Sequence, residues 1–165
     1  MNQLTLSQRM NLIMKDVKSV IKDGEIKIND SQKYSVVTYD SVIQPLHKAM
    51  VTHGVILRVS MESATVSAFE KVSTWNGKET KSKIYQADVW TTVDFINSDN
   101  KEDFLSVKAF AYAFDSGDKA VGKAHTMGVK SILLKNFALE SLDEEEARPT
   151  EGASYSQKGL KTYAR

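Results

Sequence analysis

Cysteine is absent from this 165-residue chain. That excludes disulfides, thiol nucleophiles and thiolate metal sites together. Proline occurs only at positions 45 and 149. No apolar run approaches the roughly 20 residues that a membrane-spanning helix needs. The opening MNQLTLSQRM lacks the apolar core and cleavage site of a secretory signal, so a cytoplasmic protein is expected. An excess of one charge is missing as well: 22 Lys and Arg against 21 Asp and Glu leave a net charge of +1. Affinity for a polyanion would therefore have to come from local patches. What is present, 41% hydrophobic and 26% charged residues, suits one soluble domain with a real core.

Met10, Ile13, Met14, Val17, Val20 and Ile21 recur at helical spacing over Leu6 to Lys22, with Gly24 as the stop. Glu25–Ile28 and Tyr34–Val37 read as two short strands around a polar turn. Asp40 is placed as the N-cap of a second helix that reaches His53 and closes at Gly54. Pro45 removes one backbone donor early in it. From Val55 the period becomes two, through Leu57, Val59 and Met61, with a turn expected near Glu62-Ser63 and a further strand from Thr65 to Thr74. Asn76-Gly77 is a strong hairpin signal leading to a strand over about Lys83 to Ile96.

After a polar loop at 97–100, the strand from Phe104 sets Leu105, Val107, Ala109, Ala111 and Ala113 on one face. A Gly117-Asp118 turn then opens a helix of small residues: Ala120, Val121, Gly122, Ala124 and Gly128. Ile132, Leu133 and Phe137 follow. The order α, (β), α, β-β-β-β, α predicts an α+β fold: an antiparallel β-meander of three to four strands packed against helices. Beyond Leu142 apolar residues almost vanish and Asp143–Glu146 form an acidic run. A domain over 1–141 and a flexible, acidic-then-basic tail over 142–165 are expected.

Gly117 to Lys123 fits the G-x-x-x-x-G-K pattern between a strand and a helix. Ala124, however, stands where that motif needs a magnesium-binding Ser or Thr, and a meander supplies no parallel βαβ unit. A phosphate-loop nucleotide hydrolase is therefore the alternative reading. His47 and His53 are six apart on one helix, and His125 is alone on another. Asp88 and Asp94 share a strand face about 20 Å apart, too far for a catalytic pair. Neither enzymatic activity nor a metal or other cofactor is expected.

The nucleic-acid signal is stronger. Lys71, Lys78, Lys81 and Lys83 surround Trp75, with Glu79 the one acid between them. Single-strand binders pair such cations with aromatics that stack on bases. The plainer reading is a hairpin whose lysines discourage edge aggregation. On the last helix Lys119 and Lys123 are four apart, and Lys130 returns two turns later. Arg58 is a weaker candidate on the first strand. Phe104, Phe110, Tyr112 and Phe114 occupy the other face of their strand, and a face so apolar favours core or subunit interface over base stacking.

Residues 117–139 resemble the essential-recombination-function (ERF) family of phage single-strand annealing proteins. The resemblance rests on Gly117-Asp118-Lys119 after an antiparallel strand, on Ala124, Thr126 and Lys130 in the helix, on Ile132, Leu133 and Phe137 at its end, and on the acidic Asp143–Glu146. Tyr39-Asp40 through Leu57 is similar to the family's early segment, so about 34–146 is covered. Met127 and Ser131 depart from it where the family tends to carry aromatics, and Val129 where it carries a second basic residue. The chain is short for the family, so the family's separate C-terminal domain is expected to be missing.

The resemblance implies binding of single-stranded DNA and ATP-independent annealing of complementary strands in phage homologous recombination, in the host cytoplasm. It also implies ring or helical homo-oligomers built on a β-β-β-α core, as in ring-forming annealing proteins. An exonuclease or a host single-strand-binding protein is a partner to expect. A third reading is a non-enzymatic protein-interaction domain that recruits partners through the tail.

Overall fold

A computed structural model describes residues 3–29 and 31–142. Thr5 caps α1 (Leu6–Asp16) with a reciprocal capping box: its hydroxyl accepts the Gln8 amide N–H, and the Gln8 side chain accepts the Thr5 N–H. The helix ends at Asp16, well short of Lys22, and Ser19–Ile21 form the strand β1. β1 pairs in parallel with β7 (Glu140–Leu142). The β-branched Val20 and Ile21 thus continue the helical stripe in sequence but are claimed by a distant strand, so tertiary pairing overrides local periodicity. Gly24 is correspondingly no helix stop. It opens β2 (Gly24–Asn29), which forms a hairpin with β3 (Gln32–Val36), close to the two short strands expected.

Thr38, two residues before the expected Asp40, caps α2 (Tyr39–His53) by accepting the Ser41 N–H at 3.2 Å. Asp40 lies in the first turn, where its charge suits the helix dipole. Gly54 ends α2 in the left-handed conformation at φ +67°.

The main sheet has the order β4 (Val55–Trp75), β5 (Lys78–Asn97), β6 (Asn100–Asp115), all antiparallel. No turn interrupts it at Glu62-Ser63. Met61 opposes Thr91 and Ser63 opposes Trp90, so Glu62 is the extra residue of a β-bulge. The bulge inverts the phase of β4: Val55, Leu57, Val59 and Met61 share their face with Ala64, Val66 and Ala68. The meander therefore has three long strands, not four. Asn76 and Gly77, at φ 49° and 74°, make the two-residue turn between β4 and β5. β6 pairs with β5 only as far as Tyr85. Beyond it the β4–β5 hairpin continues alone as a two-stranded arm, about 23 Å from Tyr85 to Lys78 at strand rise.

α3 (Ala120–Asn136) lies over β5 and β6 on one face of the sheet. Slim residues make this close seam. A Cβ at Gly128 would stand 3.0 Å from Thr91 Oγ1 and 3.7 Å from Ala111 Cβ. Next to it the Thr91 hydroxyl meets His125 Nδ1 at 2.9 Å. The main core gathers Ile13, Val42, Leu46, Val93, Phe95, Leu133 and Phe137, with Phe95 and Phe137 edge to face at 5.5 Å.

Polar clamps close the end of the sheet nearest α1. Buried Arg9 donates to the carbonyls of Leu4 (3.2 Å) and His53 (2.7 Å) and to the Asp99 carboxylate (2.5 Å). Buried Asn97 donates to the Leu4 carbonyl and to Asp103, both at 2.9 Å, and Asp103 also accepts the Leu6 N–H at 2.6 Å. No described helix is long and apolar enough to cross a membrane. Of the expected tail, only Leu142 is among the described residues, and it ends β7.

Candidate nucleic-acid interface

Strand alternation divides the lysines that the sequence groups together. Lys83 opposes Glu70 and Lys81 opposes Val72, so both lysines lie on the α3 side of the hairpin, in phase with Tyr85 and Val66. Lys71 and Lys78 alternate to the other side. Trp75 pairs in register with Lys78 beside the turn. Lys81 and Glu70 approach to 3.6 Å with both side chains mostly exposed, a contact of little energetic weight. The ammonium groups of Lys71, Lys78, Lys83 and Lys119 have no hydrogen-bond or ion-pair partner among the described residues.

On α3, Lys119 is the N-cap residue and its side chain makes no capping bond. Lys123 pairs with the Asp115 carboxylate, whose other oxygen accepts the Gly117 N–H at 2.8 Å. The Lys123 hydrogen bond, helped by Gly117, holds the Asp115 carboxyl below the usual carboxylate range. In the G-x-x-x-x-G-K segment, then, the lysine and one loop N–H are both given to a carboxylate of the chain itself.

Lys130 does not join the exposed face with Lys119 and Lys123. It is half-buried and donates to the Val37 carbonyl at 2.7 Å, tying α3 to the segment between β3 and α2. Arg58 lies on the sheet face opposite α3, where its Nε and Nη2 reach Asp94 at 2.8 and 2.7 Å. Asp94 also accepts the Ser106 hydroxyl at 2.5 Å. The Ser106 bond, with Arg58 added, holds its carboxyl below the usual carboxylate range. These two cations have structural partners the sequence did not reveal.

The arm and α3 meet in a cleft of about 430 Å³ lined by Val66, Tyr85, Ser116, Gly117, Asp118, Ala120 and Val121. On the same face of the arm Lys83 and Lys81 follow Tyr85 at two-residue steps. A shallower depression of about 520 Å³ follows the outer side of α3 along Lys119, Gly122, Lys123, Thr126 and Met127 and shares Asp118 with the first. Lys119 and Lys123 therefore line the second depression and Lys81 and Lys83 share the strand face of Tyr85, while Arg58, Lys71 and Lys78 lie on the other side of the sheet and Lys130 is tied to Val37. Tyr85 and Asp115 belong to this site and were not expected there. Tyr85 is one period-two step from Lys83, which is the signal that would have found it.

The sheet face away from α3 is open among the described residues. Phe104, Phe110, Tyr112 and Phe114 line it, joined by Trp90 of β5, whose ring meets Phe110 at 5.4 Å. No group of three His, Asp or Glu able to hold a metal occurs among the described residues. His53 is bound to Asp16 at 2.6 Å and Asp88 accepts the Gln86 amide at 2.8 Å. No family model matches the chain, and no curated protein matches it either.

Proposed function

We propose that this protein binds single-stranded DNA along the α3 side of its β-arm and anneals complementary strands without nucleotide hydrolysis, the activity of the annealing proteins it resembles. The observation that carries the reading is the cleft at the arm's root. There Tyr85 lines the cleft, Lys83 and Lys81 follow it along the same face of the arm, and Lys119 and Lys123 line the adjoining depression on α3. Phosphates would lie against the ammonium groups, and Tyr85 offers one ring for a base to stack on. Lysine contacts to phosphate leave base edges free for a second strand to test. A single protomer supplies few cations, so copies side by side would lengthen the groove and multiply the affinity.

The Gly117–Lys123 segment favours this over a nucleotide hydrolase because its lysine already serves Asp115. The test is annealing of complementary oligonucleotides without nucleotide or magnesium, followed together with single-strand binding over a salt series. Annealing should proceed, and log affinity should fall linearly with log salt. Lys83→Ala with Lys119→Ala should weaken binding about tenfold or more and flatten the salt slope by about one to two. Annealing that requires ATP, or binding indifferent to both substitutions, would overturn the assignment.

A further inference from the structure

The open face of the main sheet is where the fold is least complete. Phe104, Phe110, Tyr112, Phe114 and Trp90 are 53, 50, 56, 47 and 47% exposed, although strand alternation sets all five on one face. At about 200 Å² per aromatic side chain, half exposed, they leave on the order of 500 Å² of apolar surface open. That is near the upper end of what monomers show. Ile56 and Phe69, each 48% exposed, extend the same face at either end of β4. With the serines and threonines between them it reaches the scale of about 800 Å² that one partner buries in a standard interface.

Between Phe104 and Phe114 the cations of this face are already paired, while Lys71, two residues past Phe69, and Lys78 near the tip stay unpaired on the arm. Arg58 is held by Asp94, and Lys108 by Glu62 at 2.7 Å, with Thr92 donating to the same Glu62 at 2.6 Å. The unpaired charges beside the aromatics of β5 and β6 are negative: Asp88 stands in register with Tyr112, bound only to the Gln86 amide among the described residues, and Glu102 is two residues from Phe104. A phosphate chain crossing the aromatics of β5 and β6 would meet carboxylates and find its first free cation only at Lys71 on the arm. A second protein surface of the same composition would meet aromatics and neutralised pairs.

We infer that this face is a self-association surface, packed sheet on sheet against the same face of a second copy about a two-fold axis. Sheets stack in this way when both inner faces are apolar, about 10 Å apart. A two-fold contact needs only a patch complementary to itself. The inference requires no nucleic acid and stands apart from the cleft on the α3 side.

The test is the solution mass of the full chain against Phe110→Glu/Phe114→Glu, with circular dichroism and the thermal midpoint as folding controls. The wild-type mass should be an even multiple of one protomer and the variant's should be half of it. Because the chain has no cysteine, Tyr112→Cys gives a second readout free of folding concerns: oxidation should yield crosslinked pairs, whereas Gln44→Cys on α2 should not. A monomeric wild type, or an unchanged variant mass with no Tyr112→Cys crosslink, overturns the proposal. So does a variant that keeps its mass but loses single-strand binding, which would give the face to DNA. A monomer that gains mass only when residues 143–165 are removed would give it to the chain's own C-terminal segment and equally overturn it.

Discussion

Asp115, the last residue of β6, forms an ion pair with Lys123 in the second turn of α3, across the Ser116–Lys119 loop. The pair links the end of β6 to the start of α3, and it also spends one cation of the proposed groove on the chain's own carboxylate. Asp115→Asn should therefore release Lys123 and tighten single-strand binding a few-fold at low salt, since one competing negative charge disappears. Lys123→Ala in the same background should remove the gain. Fluorescence anisotropy on a labelled oligonucleotide measures both.

Acid sensitivity should trace in part to Asp103. The Asn97 amide and then the Leu6 N–H hold its carboxyl below the ordinary range. In the unfolded chain it returns to about 4. A carboxyl depressed by folding stabilises the native state fully above the unfolded value, and that contribution is lost as pH falls through the lower native one. Asp94, held mainly by Ser106, adds to the same acid limb. Asp103→Asn should lower stability at neutral pH and flatten its decline in acid, as urea denaturation from about pH 6 down to 2 would show.

The seam of α3 on the sheet distinguishes two glycines of one helix. At Gly128 a side chain would press on Thr91, so Gly128→Val should cost about 1–3 kcal/mol. At Gly122 nothing lies within 4 Å, so Gly122→Ala should add up to about 1 kcal/mol through helix propensity alone. Chemical denaturation of both variants checks the contrast.

Removing Arg9 should be the most damaging of these changes. It bonds the carbonyls of Leu4, His53 and Gly54 and the half-exposed Asp99 from a buried position, so Arg9→Met leaves several part-buried acceptors without a partner and should cost about 3 kcal/mol. Gly54→Ala should damage the same clamp, since its Cβ would collide with the Arg9 guanidinium. Equilibrium unfolding is the measure for each.

The parts legible in the sequence are those that local patterns specify. The Asn76-Gly77 turn, the Gly54 stop and the slim face from Val107 to Ala113 all follow from backbone conformation or alternation. What escaped depends on distant partners. A single bulge at Glu62 inverts the phase of β4, and an inverted period two reads as a break, so one strand looked like two. β1 exists because β7 returns to it. Lys130 and Arg58 look like free cations in the sequence, and only the fold brings the Val37 carbonyl and Asp94 to them.

Among the residues whose side chains are described, the arm beyond Tyr85 places none in either core cluster. A hairpin on its own is marginally stable, yet the domain loses little if the arm frays. The tip can therefore change its charge, or lengthen by residue pairs around Asn76-Gly77, without disturbing the folding of the body. Natural variation in this chain should concentrate there, and a graft of a different tip should alter what the protein grips while its melting temperature stays where it was.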